Sequence, residues 1–165
     1  VWVTQYNCNT IVEVNKDTLK ETGNKITFSN MKDNIKNVAY DKFNDRLIIV
    51  GNSGTLYSCE NEETITKLAD AKGFSGENVS NLFTNDDYIY VTYTKNGVKG
   101  ANTSIFDFDG KLIKQVNVED KLNISPETNN FNTQGLIDYK GVAIIIGLSW
   151  DNTYGGGYAY SISMK

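Results

Sequence analysis

The sequence contains no histidine. That excludes Ser-His-Asp and Cys-His nucleophilic machinery, imidazole metal ligation and imidazole-based pH switching. Cysteine occurs twice, at Cys8 and Cys59, without CxxC spacing, so zinc and redox motifs have no support. Each cysteine is expected to sit in its strand as a small apolar residue, with pairing open only to an exported chain. Proline occurs once, at Pro126. Long hydrophobic runs are also missing: the longest, Val142 to Ile146, is far too short to span a bilayer as a helix. No signal-peptide pattern opens the chain, which starts at Val1 directly in a strand-like run, as a processed or trimmed product would. Basic charge is scarce. A net charge of −4 and a pI near 4.8, with no Lys or Arg run, speak against nucleic acid and anionic membranes as partners.

Aromatic residues, by contrast, make up 12% of the 165 residues, including ten tyrosines and seven phenylalanines. Such side chains suit a pleated, half-buried surface, and the length allows a sizeable core. The organising feature is a repeat. A polar turn leads into an apolar strand at Asn44–Val50, Asn85–Val91 and Lys140–Ile146, and Val1–Thr4 fits the same strand without its turn. A second strand follows at Thr10–Val14, Thr55–Ser58, Ser104–Phe108 and Tyr158–Ile162. Equivalent positions Ile11, Leu56, Ile105 and Ala159 are separated by 45, 49 and 54 residues. Entry strands are predicted at Val38–Tyr40, Val79–Phe83 and Gly135–Tyr139. Outer strands are predicted at Ile26–Phe28, Ile65–Leu68 and Ile113–Val118, the last read as an alternating edge strand with one wet face.

The period predicts an all-β, β-propeller-like array of about four antiparallel blades, with units near 1–34, 35–70, 71–120 and 121–165 in a single domain. Strand counts of three, four, four and three suggest an incomplete or partial propeller. A β-sandwich or β-solenoid is the alternative. The runs Ile48–Val50 and Ile144–Ile146 are expected to be buried on both faces, between neighbouring sheets. No stretch sustains helical spacing; Asp17 to Thr22 comes closest, and Gly23 ends it.

In such an array, the loops from second to third strand and those between units emerge on one face. There they carry the candidate binding residues. Trp150, Asp151, Asn152 and Tyr154 form the most pointed group: aromatic rings to stack on a sugar, beside planar groups to bond its hydroxyls. The plainer reading is a long hairpin whose Trp150 caps the core and whose glycines relieve crowding. Tyr6, Phe74 and Phe131 lie in the same set of loops, where each also suits a plug beneath a loop. The acidic pairs Asp86-Asp87 and Asp107/Asp109 read as turn chemistry, without the ligand set of a calcium loop. Three Asn-x-Ser/Thr sequons start at Asn78, Asn102 and Asn123.

The last unit, Gln134-Gly135-Leu136-Ile137-Asp138-Tyr139-Lys140-Gly141 followed by Val142–Gly147, resembles a blade pattern of tail receptor-binding proteins from phages of Gram-positive hosts. The hairpin Asp107-Phe108-Asp109-Gly110-Lys111-Leu112-Ile113 is similar to another turn of that family. The resemblance covers the last two units and carries across no binding residue. It implies a propeller platform in a trimeric tail protein, recognition of host cell-wall glycopolymers, and an extracellular or virion-surface location.

The functional expectation is a non-enzymatic module binding a glycan or cell-surface polymer, within an assembly of protein chains that the resemblance makes a homo-trimer. A structural scaffold packing against neighbouring chains is the alternative, and a carboxylate-only glycan lyase or hydrolase a third reading. No catalytic residue, metal ligand or cofactor is assigned.

Overall fold

The computed structural model describes residues 1–5, 8–61, 64–71, 77–95, 102–117, 130–150 and 155–164, with the backbone alone described at 61, 77, 94–95, 130–134, 148–150 and 155–158. These residues form strands and turns, with no helix among them. The first sheet comprises β1 (Trp2–Thr4), β2 (Thr10–Val14) and β3 (Glu21–Thr27). The second comprises β4 (Ile35–Asp41), β5 (Arg46–Gly51), β6 (Thr55–Asn61) and β7 (Thr64–Asp70). β8 (Glu77–Thr84), β9 (Ile89–Lys95), β10 (Thr103–Phe106) and β11 (Leu112–Val116) make the third. β12 (Asn130–Tyr139), β13 (Val142–Trp150) and β14 (Gly155–Ser163) make the fourth. Each sheet is antiparallel and keeps its strands in sequence order, and none closes on itself.

The sheets stack in chain order, because side-chain alternation gives every central strand two apolar faces. In β5, Leu47 and Ile49 pack with Ile11, Ile26 and Phe28 of the first sheet's unit. Ile48 and Val50 point the other way, onto Val79, Ile89, Val91 and Tyr93 of the third sheet. β9 repeats the arrangement: Ile89 and Val91 face the second sheet, while Tyr90 packs with Ala143, Ile145 and Ile162 of the fourth. Removing one such Ile or Val from water is worth about 1.5–3 kcal/mol. Neighbouring sheets approach most closely through β1, β4, β8 and β12, the first strands of each.

Turn chemistry sets the hairpins. In the second, third and fourth sheets the first-to-second-strand turn opens with an Asx residue whose Oδ1 accepts backbone amides: Asp41 from Phe43 and Asn44, Asn85 from Asp87 and Tyr88, Asp138 from Gly141. Lys140 and Gly141 both have positive φ, 52° and 75°, the twist that a two-residue hairpin needs. Between third and fourth strands, Asp107 Oδ1 accepts the amides of Asp109 and Lys111, and Gly110 takes φ 86°. A Cβ on Gly110 would stand 2.7 Å from the Leu68 carbonyl oxygen, so this turn also needs glycine for its approach to the second sheet. The acidic groups around Asp86 and Asp107 are thus engaged in turns, as expected, and Asp86 in addition forms an ion pair with Lys42.

Three expectations need correction. Ile48–Val50 is buried on both faces, but in the run Ile144–Ile146 only Ile145 is fully buried, because no described sheet covers the far side of β13. The β11 strand does not alternate cleanly: the register shifts opposite Ile105/Phe106, leaving Ile113 42% exposed while Val116 is buried. Cys59 does sit buried in β6, whereas Cys8 stands before β2 with its Sγ 3.6 Å from the Gln5 carbonyl oxygen.

Candidate functional site

One described concavity lies at the margin between the first and second sheets and a second lies on the first sheet beside it, both away from the loop face singled out from sequence. β1 delivers Trp2 to that margin, β3 Ile26, β4 Tyr40, β5 Arg46 and Leu47, and β6 Cys59 and Glu60, with Asp45 at the tip of the β4–β5 hairpin. Together they line an open cleft of about 180 Å³. A second hollow of about 410 Å³ adjoins it, lined by Trp2, Glu13, Gly23, Asn24, Lys25 and Ile26. Trp2 and Ile26 line both, so the two hollows meet at these residues as one trough.

Polar order around the trough is high. Tyr40 Oη donates to Asp45 Oδ1 at 2.6 Å, and that bond above all, with partial burial and the nearby Asp45 and Asp41 charges, raises the phenol's pKa. Asp45 itself has φ 49°, a left-handed conformation held by the hairpin. At the other end, Glu13 Oε2 accepts from Thr22 Oγ1 at 2.7 Å and Asn24 Nδ2 at 2.8 Å, which lowers the carboxyl pKa. Trp2 is 36% and Tyr40 53% exposed, so both rings offer faces to solvent.

Arg46 is spoken for. Its Nε donates to Asp41 Oδ2 at 2.9 Å, Nη2 to the Phe108 carbonyl at 2.6 Å, and Nη1 lies 3.8 Å from Glu60 Oε1. The guanidinium therefore ties the second sheet to the β10–β11 turn of the third. Asp41, fully buried in its side chain, is pushed up by burial, yet its hydrogen bonds from Asn44 and Arg46 outweigh this and hold it below the usual aspartate range. What remains for a ligand is two aromatic faces and the exposed Glu60 carboxylate, beside Asp45, Asn24 and Lys25.

No family model matches the chain, and no curated protein matches it in sequence. The site's chemistry must therefore be argued from its own residues. Of those expected to bind, Tyr6, Phe74, Asp151, Asn152 and Tyr154 lie outside the described residues. Trp150 and Phe131 are placed by backbone only, and in strands instead of loops: Trp150 ends β13 opposite Asn130 and Gly155, and Phe131 pairs with Ser149 in β12. Pairing continues through Gly155–Gly157, so the glycine-rich stretch is largely strand. Among the described residues, no group of three or more His, Cys, Asp or Glu side chains is placed to hold a metal ion. Sequence reasoning missed Trp2, Tyr40 and Glu60. The available signal was Tyr40, an aromatic at a strand end immediately before a polar turn containing Asp45.

Proposed function

We propose that the chain is a non-enzymatic binding module of β-propeller type that recognises a glycan or cell-surface polymer, with the Trp2 trough as its contact site. The observation that carries this is that the partly exposed Trp2 lines both hollows. Sugar rings have flat C–H faces that pack on aromatics and equatorial hydroxyls that carboxylates and amides bond. The trough offers Trp2 and Tyr40 for the first task, and Glu60, Asp45 and Asn24 for the second. Small-molecule pockets typically span about 300–1,000 Å³. A cleft of about 180 Å³ beside one of about 410 Å³ suits successive rings of a chain lying along the surface, not one engulfed ligand.

The propeller assignment is supported by the repeat, by sheets of three, four, four and three strands, and by their closest approach at the first strands. The resemblance of the final unit to phage tail receptor-binding platforms points toward a cell-wall glycopolymer and a surface location.

The test is binding to purified Gram-positive cell-wall glycopolymer by calorimetry or pull-down. Trp2→Ala should reduce affinity at least tenfold, about 1.4 kcal/mol, and Tyr40→Ala should weaken it too, with thermal unfolding nearly unchanged. If Trp150→Ala abolishes binding while Trp2→Ala leaves it intact, the ligand lies on the loop face and the trough assignment is wrong. A second reading, a carboxylate-only hydrolase or lyase, draws on Asp45 and Glu60 lining one cleft. It requires release of new chain ends from the bound polymer that Glu60→Gln suppresses; binding without cleavage sinks it.

A further inference from the structure

The three sheet-to-sheet cores use one interface three times, and the outer sheets present its two unmatched halves. Counting back from Gly51 of β5 and Gly147 of β13, positions that face the following sheet are Ile48 and Val50 in the second sheet and Ile144 and Ile146 in the fourth. Tyr90 and Thr92 hold those places in the third. Ile48, Val50, Tyr90 and Thr92 are all fully buried. Their first-strand partners are equivalent as well: Ala39 opposite Ile48, Phe83 opposite Tyr90, Ile137 opposite Ile144. In the fourth sheet, however, Ile144 and Ile146 are only half-buried, Ile137 is 51% exposed and Tyr139 59% exposed.

The complementary half lies on the first sheet. Tyr57 and Ile49, paired across β6 and β5, face backward onto the first sheet's core. Their equivalents are Val12 and Val3, paired across β2 and β1 on the side away from the second sheet; Val3 is 43% exposed, whereas Val12 is already buried, so Val3 is the open part of this half.

We propose that the outer face of the fourth sheet docks on the outer face of the first sheet of a second copy, head to tail. This contact repeats between chains the packing already made within the chain. A second copy is the occupant because it supplies the same apolar face, in the same register, that each preceding sheet meets internally. The interface is heterologous, so successive copies form a closed ring or an open chain according to the angle between them. It does not depend on the glycan reading.

Sedimentation velocity across a concentration series tests it. The wild-type chain should show mass rising with concentration to a dimer or beyond. Ile137→Lys on one face and Val3→Glu on the other should each weaken association at least tenfold; both side chains are exposed, and thermal unfolding serves as the folding control. An equimolar mixture of the two variants retains one intact pair of faces and should form dimers and nothing larger. A wild-type chain monomeric at every concentration overturns the proposal. So does assembly unchanged in both folded variants, or a mixture that fails to form the heterodimer.

Discussion

Asp41 shows how a turn residue becomes a stability determinant. Its carboxylate receives two backbone amides, Asn44 Nδ2 and Arg46 Nε while fully buried. Removing one partner of a buried pair typically costs about 3–5 kcal/mol, because the other charge is left without compensation. Asp41→Ala should lower the urea-unfolding free energy by about that much. The folded carboxyl pKa is depressed, so its contribution is present above the unfolded value of about 3.9 and lost as pH falls through the folded value. The gap between wild type and Asp41→Asn should accordingly shrink in acid below that range. Tyr90 works at the opposite end of the scale. Burial pushes its phenol up to about 12, against the Asn85 hydrogen bond that lowers it. A raised pKa means stability present below the unfolded value of about 10 and lost as pH climbs through 12. Titration at 295 nm should show one late phenol that Tyr90→Phe removes, and wild type should lose stability relative to that variant across this interval. A Tyr90→Phe titration indistinguishable from wild type would contradict the assignment.

Strands of near-identical sequence differ in energy according to what covers them. β5 reads Leu-Ile-Ile-Val and β13 reads Ala-Ile-Ile-Ile over matching positions, yet only β5 has a described sheet on each side. Truncating a fully buried isoleucine costs about 2–5 kcal/mol, transfer plus cavity. In dilute, monomeric protein Ile49→Ala and Ile145→Ala should fall in that range, and Ile144→Ala below it, since its side chain is only partly buried. Equal losses at Ile144 and Ile145 would mean that the outer face of β13 is covered in solution. The same elements explain where loop and strand were misjudged. β12 and β14 extend ten and nine residues, well past their apolar segments. Backbone hydrogen bonds to β13 can continue through Asn130–Asn132 and Gly155–Gly157 without any hydrophobic pattern to reveal them. Phe131 and Trp150 are strand residues for that reason.

At the scale of the whole molecule, the sequence by itself determined the all-β class, the apolar centre of each strand though not how far β12 to β14 extend, and their grouping into sheets of three, four, four and three. Asx-led turns and alternating apolar strands are local signals, and in-order antiparallel pairing needs only short connections. It also determined the turn role of Asp107, whose side chain bonds amides within four residues. The tertiary structure alone decided which apolar faces are covered, because a strand flanked by two sheets and one flanked by one can share a sequence. It decided the trough as well. Trp2, Glu13, Asn24, Tyr40, Asp45 and Glu60 come from two sheets and span most of sixty residues, and no spacing along the chain records that their margins meet. Arg46 reaching Phe108 across 62 positions is the same lesson in one hydrogen bond: its partner is chosen by stacking, which acts between surfaces and not along the chain.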